Sequence, residues 1–387
     1  MKTLVRSCVA ALVLALMMPS AHAAETAKAS ASWRVIGYVM DGPTLPPITA
    51  SKLDVINFAF AQVNPQHEVF LPQASAARSL NGLVALRTQN PDLKILLSVG
   101  GWGADHFSEA ALTEDSRKRF ADTAVELVRR HDLDGLDIDW EYPAHPGPGI
   151  RHRPEDRRNF TLLLKQLRST LDELGKSHPD RHYLLTIAAA DGEAARGLEL
   201  KRIAPLLDWI NLMTYDFYGS LTRTTGHHAG LHRSRTAGAD ARSTDKAVEA
   251  FLRGGVPARK INIGLAFYGR TFGDVADAQH GLHQRFGSDG GFVSWQDIQR
   301  NHTAQQGYER HWDEDAQAAW LWNPTARRMI SYDDPQALRA KAAYVRKRGL
   351  GGVMYWEQRQ DPDEQLLDVV IDALRRDTAA GPAGTGR

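Results

Sequence analysis

Short apolar runs recur along the chain and alternate with longer segments whose apolar residues fall at helical spacing. The runs predict eight strands, at 35–40, 55–61, 93–99, 134–143, 183–189, 209–215, 261–267 and 351–356. The patterns with helical spacing predict helices at 74–89, 115–130, 156–174, 200–207, 244–254 and 335–348. A last helix is predicted to follow the eighth strand and to end at 375. Asp115 or Ser116 is the expected N-cap of the second helix. Eight strand–helix units predict an α/β fold, a parallel (β/α)8 barrel, over residues 33–375.

One stretch, residues 271–330, breaks this rhythm because it is polar yet rich in aromatic residues. A loop of that length is expected to carry structure of its own. We therefore predict a small α+β insertion after the seventh barrel strand. The last residues, 376–387, are small and glycine-rich, which predicts a flexible tail.

The first 23 residues have the pattern of a secretory signal peptide. A basic start with Lys2 and Arg6 is followed by an apolar run at 8–18 and a small-x-small site ending at Ala23. The only cysteine, Cys8, lies in this segment, so the mature chain is expected to have no disulfide. These features predict a secreted or periplasmic protein that has no membrane association after cleavage near Ala23.

Charge balance narrows the range of partners. The chain of 387 residues has 47 Lys and Arg against 46 Asp and Glu. Nothing in this balance favours a nucleic acid or an anionic membrane as a partner.

The strongest chemical signal is a row of acids in the fourth predicted strand. Side chains two apart on a strand point the same way, so Asp137, Asp139 and Glu141 share one face. Crowded carboxylates repel one another, and at least one of them then binds a proton more tightly. An acid/base site is therefore favoured over a hard-cation site or a purely structural role.

Other strand ends are also unusual, and in a barrel they all meet at the carboxyl-terminal face. They carry aromatic and polar residues that suit stacking on sugar faces and bonding to hydroxyls. The aromatic and polar residues at these ends are Tyr38, Phe60, Trp102, Tyr142, Tyr215, Asp216, Tyr268, Arg270 and Trp356, and Gly100, Gly101 and Met213 lie beside them.

The sequence resembles glycoside hydrolase family 18, the chitinase family. The family's acidic signature matches Asp134, Asp137, Asp139 and Glu141 on the fourth strand. Supporting motifs match at 98–101, 213–216 and 268–270 and at Trp356, in barrel order. The resemblance covers nearly all of the mature chain.

The resemblance implies a retaining mechanism in which the substrate's own acetamido group attacks the anomeric carbon. Glu141 would be the general acid and then the base, and Asp139 would orient the acetamido group. Asp137 would share a proton or hydrogen bond with Asp139, and Tyr215 would donate a hydrogen bond to the acetamido carbonyl. Trp356 would form the floor of the site, and the other strand-end residues would line the cleft.

The implied substrate is chitin or an N-acetylglucosamine oligosaccharide, cleaved by a monomer that needs no cofactor. Three alternatives stay open: an endo-β-N-acetylglucosaminidase, a peptidoglycan-type glycosidase, and a chitin-binding lectin. A metal hydrolase is disfavoured, and no metal site is expected. The loop histidines are interpreted as solvated polar residues; they are His227, His228, His232, His280 and His283.

Overall fold

The computed structural model describes residues 33–375, and all structural statements concern that part of the chain. The predicted signal peptide and the predicted tail lie outside it. The strands are β1 (Arg34–Met40), β2 (Val55–Val63), β3 (Val69–Phe70), β4 (Lys94–Gly100), β5 (Gly135–Asp139), β6 (Leu184–Ala189), β7 (Trp209–Leu212), β8 (Ile261–Ala266), β9 (Tyr268–Gly273), β10 (Ser288–Ser294), β11 (Glu309–Asp313), β12 (Ala318–Asn323), β13 (Arg328–Tyr332) and β14 (Gly352–Trp356). The helices are α1 (Ala76–Ala85), α2 (Phe107–Ala110), α3 (Glu114–Arg130), α4 (Asp156–Lys176), α5 (Leu200–Ile203), α6 (Thr244–Arg253), α7 (Trp295–Asn301), α8 (Pro335–Arg348) and α9 (Gln365–Arg375).

Eight parallel strands close into a barrel. Their spatial order is β1, β14, β8, β7, β6, β5, β4 and β2, and β2 pairs back onto β1. From β2 onward, α-helices connect successive barrel strands, and a short 3-10 turn at Ala50–Lys52 lies between β1 and β2, so the predicted (β/α)8 barrel is confirmed. The acidic strand β5 is the fourth strand of the barrel, as the sequence pattern indicated.

Strand alternation separates two apolar regions. On β1, Val35 and Val39 pack outward with the helices, whereas Ile36 and Tyr38 face the barrel interior. The outer region is the larger, and each fully buried aliphatic side chain in it contributes about 1.5–3 kcal/mol. The interior region carries the aromatic residues that reach the carboxyl-terminal face.

Helix α3 shows where a predicted cap was wrong. Thr113 is the N-cap, not Asp115 or Ser116, because its extended backbone lets its hydroxyl accept from the Ser116 amide. The Ser116 hydroxyl accepts from the Thr113 amide in return, which completes a capping box. The sequence-based expectation placed the cap inside the first turn.

Two barrel strands are shorter than their apolar patterns. β5 ends at Asp139 and β7 ends at Leu212, so Glu141 and Tyr215 lie in the loops just beyond. At β7 the Thr214 hydroxyl bonds both the carbonyl and the amide of Gly264. The Thr214 side chain thus makes the bonds to β8 that a continuing strand would make with its backbone, so the backbone of β7 can turn away here.

The segment from β9 to β13 forms a five-stranded antiparallel sheet. Its order is β10, β9, β13, β12 and β11, and α7 follows β10. A separate apolar cluster holds it, with Phe272, Trp320, Trp322 and Met329 among its members. The sheet spans residues 268–332, since β9 begins almost directly after β8.

No helix in residues 33–375 is both long enough and apolar enough to cross a bilayer.

Candidate active site

Asp137 lies fully buried at the centre of a hydrogen-bond network. One carboxylate oxygen accepts from the Tyr38 hydroxyl at 2.7 Å and from the Ser98 hydroxyl at 2.8 Å. The other accepts from the Thr186 hydroxyl at 2.6 Å and from the Asn211 amide at 3.2 Å. Burial raises the pKa of Asp137, although these four donors act in the opposite direction.

Asp139 and Glu141 follow Asp137 and receive far less support. One oxygen of Asp139 is buried without a hydrogen-bond partner among the described residues, and no direct hydrogen bond joins Asp139 to Asp137. Burial, then the charge of Glu141, then that of Asp137 raise the pKa of Asp139 well above its usual value. No arginine or lysine within residues 33–375 pairs with either carboxyl group. The site therefore favours holding protons on this row.

Glu141 is the last acid of the row and lies in the loop just after β5. Its side chain is buried, and burial raises its pKa to about 7; the neighbouring Tyr142 hydroxyl acts in the opposite direction, and the charge of Asp216 raises it further. A carboxyl group with that pKa is substantially protonated near neutral pH and can give up its proton there. Glu141 therefore has the acid–base properties required of a general acid.

Asp216 has the opposite electrostatic environment. Its Oδ1 accepts from the Tyr268 hydroxyl at 2.9 Å and from Arg270 Nε at 2.8 Å. Burial alone would raise the pKa of Asp216, but His228 and Arg270 outweigh it and hold the pKa well below the usual range. Its φ of 54° is left-handed, a conformation that aspartate tolerates better than most residues. Asp216 is thus a fixed negative charge beside the acid row.

Tyr215 precedes Asp216 and lies against the barrel interior. Burial, followed by the charges of Asp139 and Asp216, raises the pKa of Tyr215 well above its usual value. Within residues 33–375 its hydroxyl makes one hydrogen bond, to the Met354 sulfur at 3.8 Å. The hydroxyl therefore stays protonated and is available as a hydrogen-bond donor. Met213 is half-buried in the same interior cluster.

Aromatic rings form the base of the site. Trp356 stacks on Phe60, with ring centroids 5.7 Å apart and an interplanar angle of 20°, and it also contacts Tyr38. Gly101 must be glycine, because a Cβ there would lie 2.7 Å from the Phe60 ring. At Gly100 a Cβ would lie 2.0 Å from the Asp139 carbonyl oxygen. These glycines let the chain after β4 approach the acid row.

Two exposed aromatics stand further out. Trp102 is 58% exposed and meets Tyr142 edge to face at 6.3 Å. Phe292, on β10, is 61% exposed and lies under the Arg270 guanidinium at 3.9 Å. Exposed rings beside a buried acid row offer apolar faces to a ligand.

The sequence analysis missed several residues that the fold brings to this site. Phe292 was noted only as part of the insertion. Arg242 donates to Asp191 at 2.9 Å and to the Asp216 carbonyl at 3.3 Å, and nothing in its sequence context indicates this. Thr186 and Asn211 complete the Asp137 network. The sequence feature that could have indicated Thr186 and Asn211 is their position on predicted barrel strands, where alternate side chains face the interior.

The interpretation of the loop histidines as solvated was wrong for two of them. His228 is fully buried, and His227 is 5% exposed. His227 faces Asp313 at 3.1 Å, His228 faces Asp216 at 3.6 Å, and His232 faces Asp245 at 2.8 Å. Each of the three therefore pairs with a different carboxylate, and they do not converge on one point.

A barrel whose fourth strand presents buried acids at its carboxyl-terminal face, ringed by aromatics, is the arrangement of a sugar-cleaving site. Residues 32–361 match the family described as Glycosyl hydrolases family 18. The chain belongs to glycosyl hydrolase family 18, as the resemblance of its motifs predicted.

Similar proteins agree with this membership. Chitinase A1 of Niallia circulans is 39% identical over 75% of this chain and 44% of its own length. Chitotriosidase-1 of Mus musculus is 35% identical over 77% of this chain and 65% of its own. The chain thus spans less than two thirds of either relative.

A solved structure gives the fuller overlap. It is described as a novel glycoside hydrolase family 18 N-acetylglucosaminidase from Paenibacillus barengoltzii. It is 41% identical, covers 89% of this chain and all of its own, and superposes with a TM-score of 0.83.

Proposed function

We propose that this protein hydrolyses β-1,4-linked N-acetylglucosamine in chitin or chitooligosaccharides, with retention of configuration and assistance from the substrate. The observation that carries the proposal is the acid row, where three neighbouring carboxyl groups are buried and no Arg or Lys of residues 33–375 pairs with them. Glu141 in that row has a pKa raised to about 7 by burial. The chitinases among the relatives support the choice of substrate.

In the first step Glu141 gives its proton to the glycosidic oxygen, and the bond from that oxygen to the anomeric carbon breaks. The acetamido oxygen of the same sugar forms a bond to the anomeric carbon on the opposite face. The product is a positively charged oxazolinium ring. Asp139 orients the acetamido group and stabilises this charge, and its position between Glu141 and Asp137 in the row supports the role.

In the second step Glu141, now a carboxylate, takes a proton from water as the water oxygen attacks the anomeric carbon. The bond to the acetamido oxygen breaks, and the sugar leaves with its original configuration. Glu141 is protonated again and ready for the next cycle. A pKa near the working pH suits a group that must both give and take a proton.

Three side chains position the reacting sugar in this proposal. Tyr215 donates a hydrogen bond to the acetamido carbonyl, which the lack of any oxygen or nitrogen partner for its hydroxyl supports. Asp216 contacts a hydroxyl of the distorted sugar, and Trp356 forms the floor. Asp137, with four donors of its own, fixes the electrostatic background for Asp139.

One alternative has a specific observation in its favour. The Paenibacillus barengoltzii relative is described as an N-acetylglucosaminidase, so release of single sugars from a chain end is a second candidate activity. Cleavage in N-glycans or peptidoglycan would use the same residues, because each of these substrates has an acetamido group beside the scissile bond. A lectin is disfavoured, since the acid Glu141 is present.

The test is product analysis on the hexamer of N-acetylglucosamine by mass spectrometry, with the anomer followed by NMR. We expect fresh products to be β-anomers, and Glu141→Gln to bind the hexamer without cleaving it. Cellohexaose is the matched control because it lacks only the acetamido group, and it should stay intact. Cleavage of cellohexaose, or α-anomers as first products, would overturn the substrate-assisted mechanism.

The product sizes decide between the two activities. Single sugars from the first turnover indicate an N-acetylglucosaminidase, and dimers or trimers indicate a chitinase. Binding without cleavage by the wild type would sink both and favour a lectin. We also propose export with cleavage after Ala23, which the mass of the protein recovered from the producing cell's periplasm or medium tests.

A further inference from the structure

A second group of possible ligands lies on the antiparallel sheet, away from the acid row. His280, Glu309 and His311 each place a ligand atom within 4.8 Å of the other two. Glu309 and His311 are two apart on β11, so their side chains leave the same face of the strand. His280 reaches them from the loop that precedes β10. The three residues come from two separate chain segments.

The two imidazole rings of this group stack against aromatic neighbours. His280 has a left-handed backbone, with φ at 50°, and its carbonyl accepts from the Trp320 indole at 3.0 Å. Its ring stacks on His311, with centroids 4.1 Å apart and an interplanar angle of 24°. His311 in turn stacks on Trp320 at 5.0 Å. The two rings thus pack through their faces, and their nitrogens lie at the ring edges.

One nitrogen shows that the cluster is incomplete as it stands. His311 Nε2 is buried and makes no hydrogen bond within residues 33–375. It lies 3.5 Å from a Glu309 carboxylate oxygen. A buried imidazole nitrogen without a partner is costly, and a cation placed between it and the carboxylate would remove that cost.

We propose that His280, Glu309 and His311 bind one divalent transition-metal ion of the zinc type, with water completing its coordination. Two imidazoles and one carboxylate are a donor set that suits zinc and disfavours calcium, which takes oxygen ligands. Ligands on a tetrahedral zinc lie about 3.3 Å apart, given bonds of about 2.0 Å. The ligand atoms lie within 4.8 Å of one another, and rotation of the exposed His280 and Glu309 side chains would bring them to that spacing.

The bound ion would have a structural role in the five-stranded sheet. β11 is an edge strand of the five-stranded sheet. An ion shared by β11 and the loop at 279–281 would join that edge to the segment beside it. It uses none of the acid-row residues, and it departs from the expectation, drawn from sequence, that the chain has no metal site.

The test measures zinc binding directly, so it is independent of any hydrolytic activity. Full-length mature protein without a histidine tag is stripped with EDTA, dialysed, and titrated with zinc chloride by calorimetry. We expect one equivalent to bind and to raise the unfolding temperature. His280→Gln and Glu309→Gln should each weaken binding by at least about tenfold, as loss of a ligand does.

His302→Gln is the matched control, because His302 lies on the same sheet domain beside Asp297 at 3.6 Å. It should bind zinc like the wild type, and calcium should not bind at this site. His280 and Glu309 are exposed, so their variants are expected to fold, which circular dichroism checks. The proposal fails if the wild type binds no stoichiometric zinc, if the two ligand variants bind zinc normally, or if calcium binds equally well.

Discussion

The two ends of strand β5 treat their carboxylates in opposite ways. At the amino end, the buried Asp134 accepts from Arg87 at 2.5 Å, from Arg181 at 3.2 Å and from the Ile95 amide at 2.8 Å. At the carboxyl end, Asp139 and Glu141 have no Arg or Lys beside them in the described part of the chain. One strand therefore carries a charge-balanced acid and an unbalanced acid pair only a few residues apart.

The difference shows how burial is used for two purposes. Asp134 meets two guanidinium groups, so it braces the amino-terminal end of the strand. Burial raises the pKa of Glu141 to about 7, with a smaller contribution from the charge of Asp216 and an opposing one from Tyr142. In the proposed mechanism, carboxylates paired with cations brace the fold, and carboxyl groups without such partners carry the chemistry.

The largest expected effect comes from removing the proton donor at the carboxyl end. Glu141→Gln keeps the shape of the side chain but cannot deliver a proton. Loss of general acid catalysis typically costs about 10²–10⁴ in rate, so kcat on the hexamer should fall at least that far. Steady-state kinetics measures the fall, and hexamer binding by calorimetry should persist.

Glu173→Gln is the matched control for that variant, because Glu173 is an exposed residue on α4 paired only with Lys176. It should cleave the hexamer at the rate of the wild type. A Glu141→Gln enzyme that kept wild-type turnover would remove the chemical role assigned to this end of the strand.

The pH profile is the next way to sharpen the comparison. The pKa of Glu141 is raised to about 7, so the acid is loaded below that pH and lost above it. We expect kcat/KM on the hexamer to fall about tenfold per pH unit above pH ~7. An alkaline limb that begins near the ordinary glutamate pKa of about 4.3 would contradict the raised value.

Stability should depend on pH through the same residue. Because folding raises the Glu141 pKa from 4.5 to about 7, the folded chain holds this proton more tightly. The stability that this proton supports is present below pH ~4.5 and is lost as pH rises through 7. Glu141→Gln should therefore be more stable than the wild type at pH 8, by up to about 3 kcal/mol, and not at pH 4. Urea unfolding at the two pH values measures this difference, and equal shifts at both would refute it.

Asp134→Asn should give the converse result. It leaves Arg87 and Arg181 without their buried partner, so the free energy of unfolding should fall by about 1–3 kcal/mol. The alkaline limb of the pH profile should stay where it is. Asp122→Asn, at an exposed residue of α3, is the control and should change neither quantity. A shifted pH limb in Asp134→Asn would show that the two ends of β5 are not separate in function.

The smallest effect is expected at the rim. Trp102→Ala removes an exposed ring beside Tyr142 and should raise KM for the hexamer about threefold to tenfold while kcat changes less than about twofold. Phe70→Ala, at another exposed aromatic on β3, should leave KM unchanged. A fall in kcat alone would assign Trp102 to the chemical step instead.

Much of the barrel could be predicted because local patterns carry it. The apolar face of β5, with Leu136, Ile138 and Trp140, packs outward into the main core as alternation requires. Strand ends were less predictable. At the end of β7 the Thr214 hydroxyl takes the place of backbone hydrogen bonds, and no local sequence pattern indicates this replacement. The Thr113 cap was missed because Asp115 and Ser116, which follow it closely, are N-cap residue types as good as threonine.

The sequence by itself determined which acids stand in a row, which face of the strand they share, and which family the chain belongs to. Only the tertiary structure decided their charge states. The cations at Asp134, the burial of His228 and the low pKa of Asp216 depend on residues from distant strands and loops. A pKa reflects desolvation and neighbouring charges in space, and these are fixed only when the barrel closes.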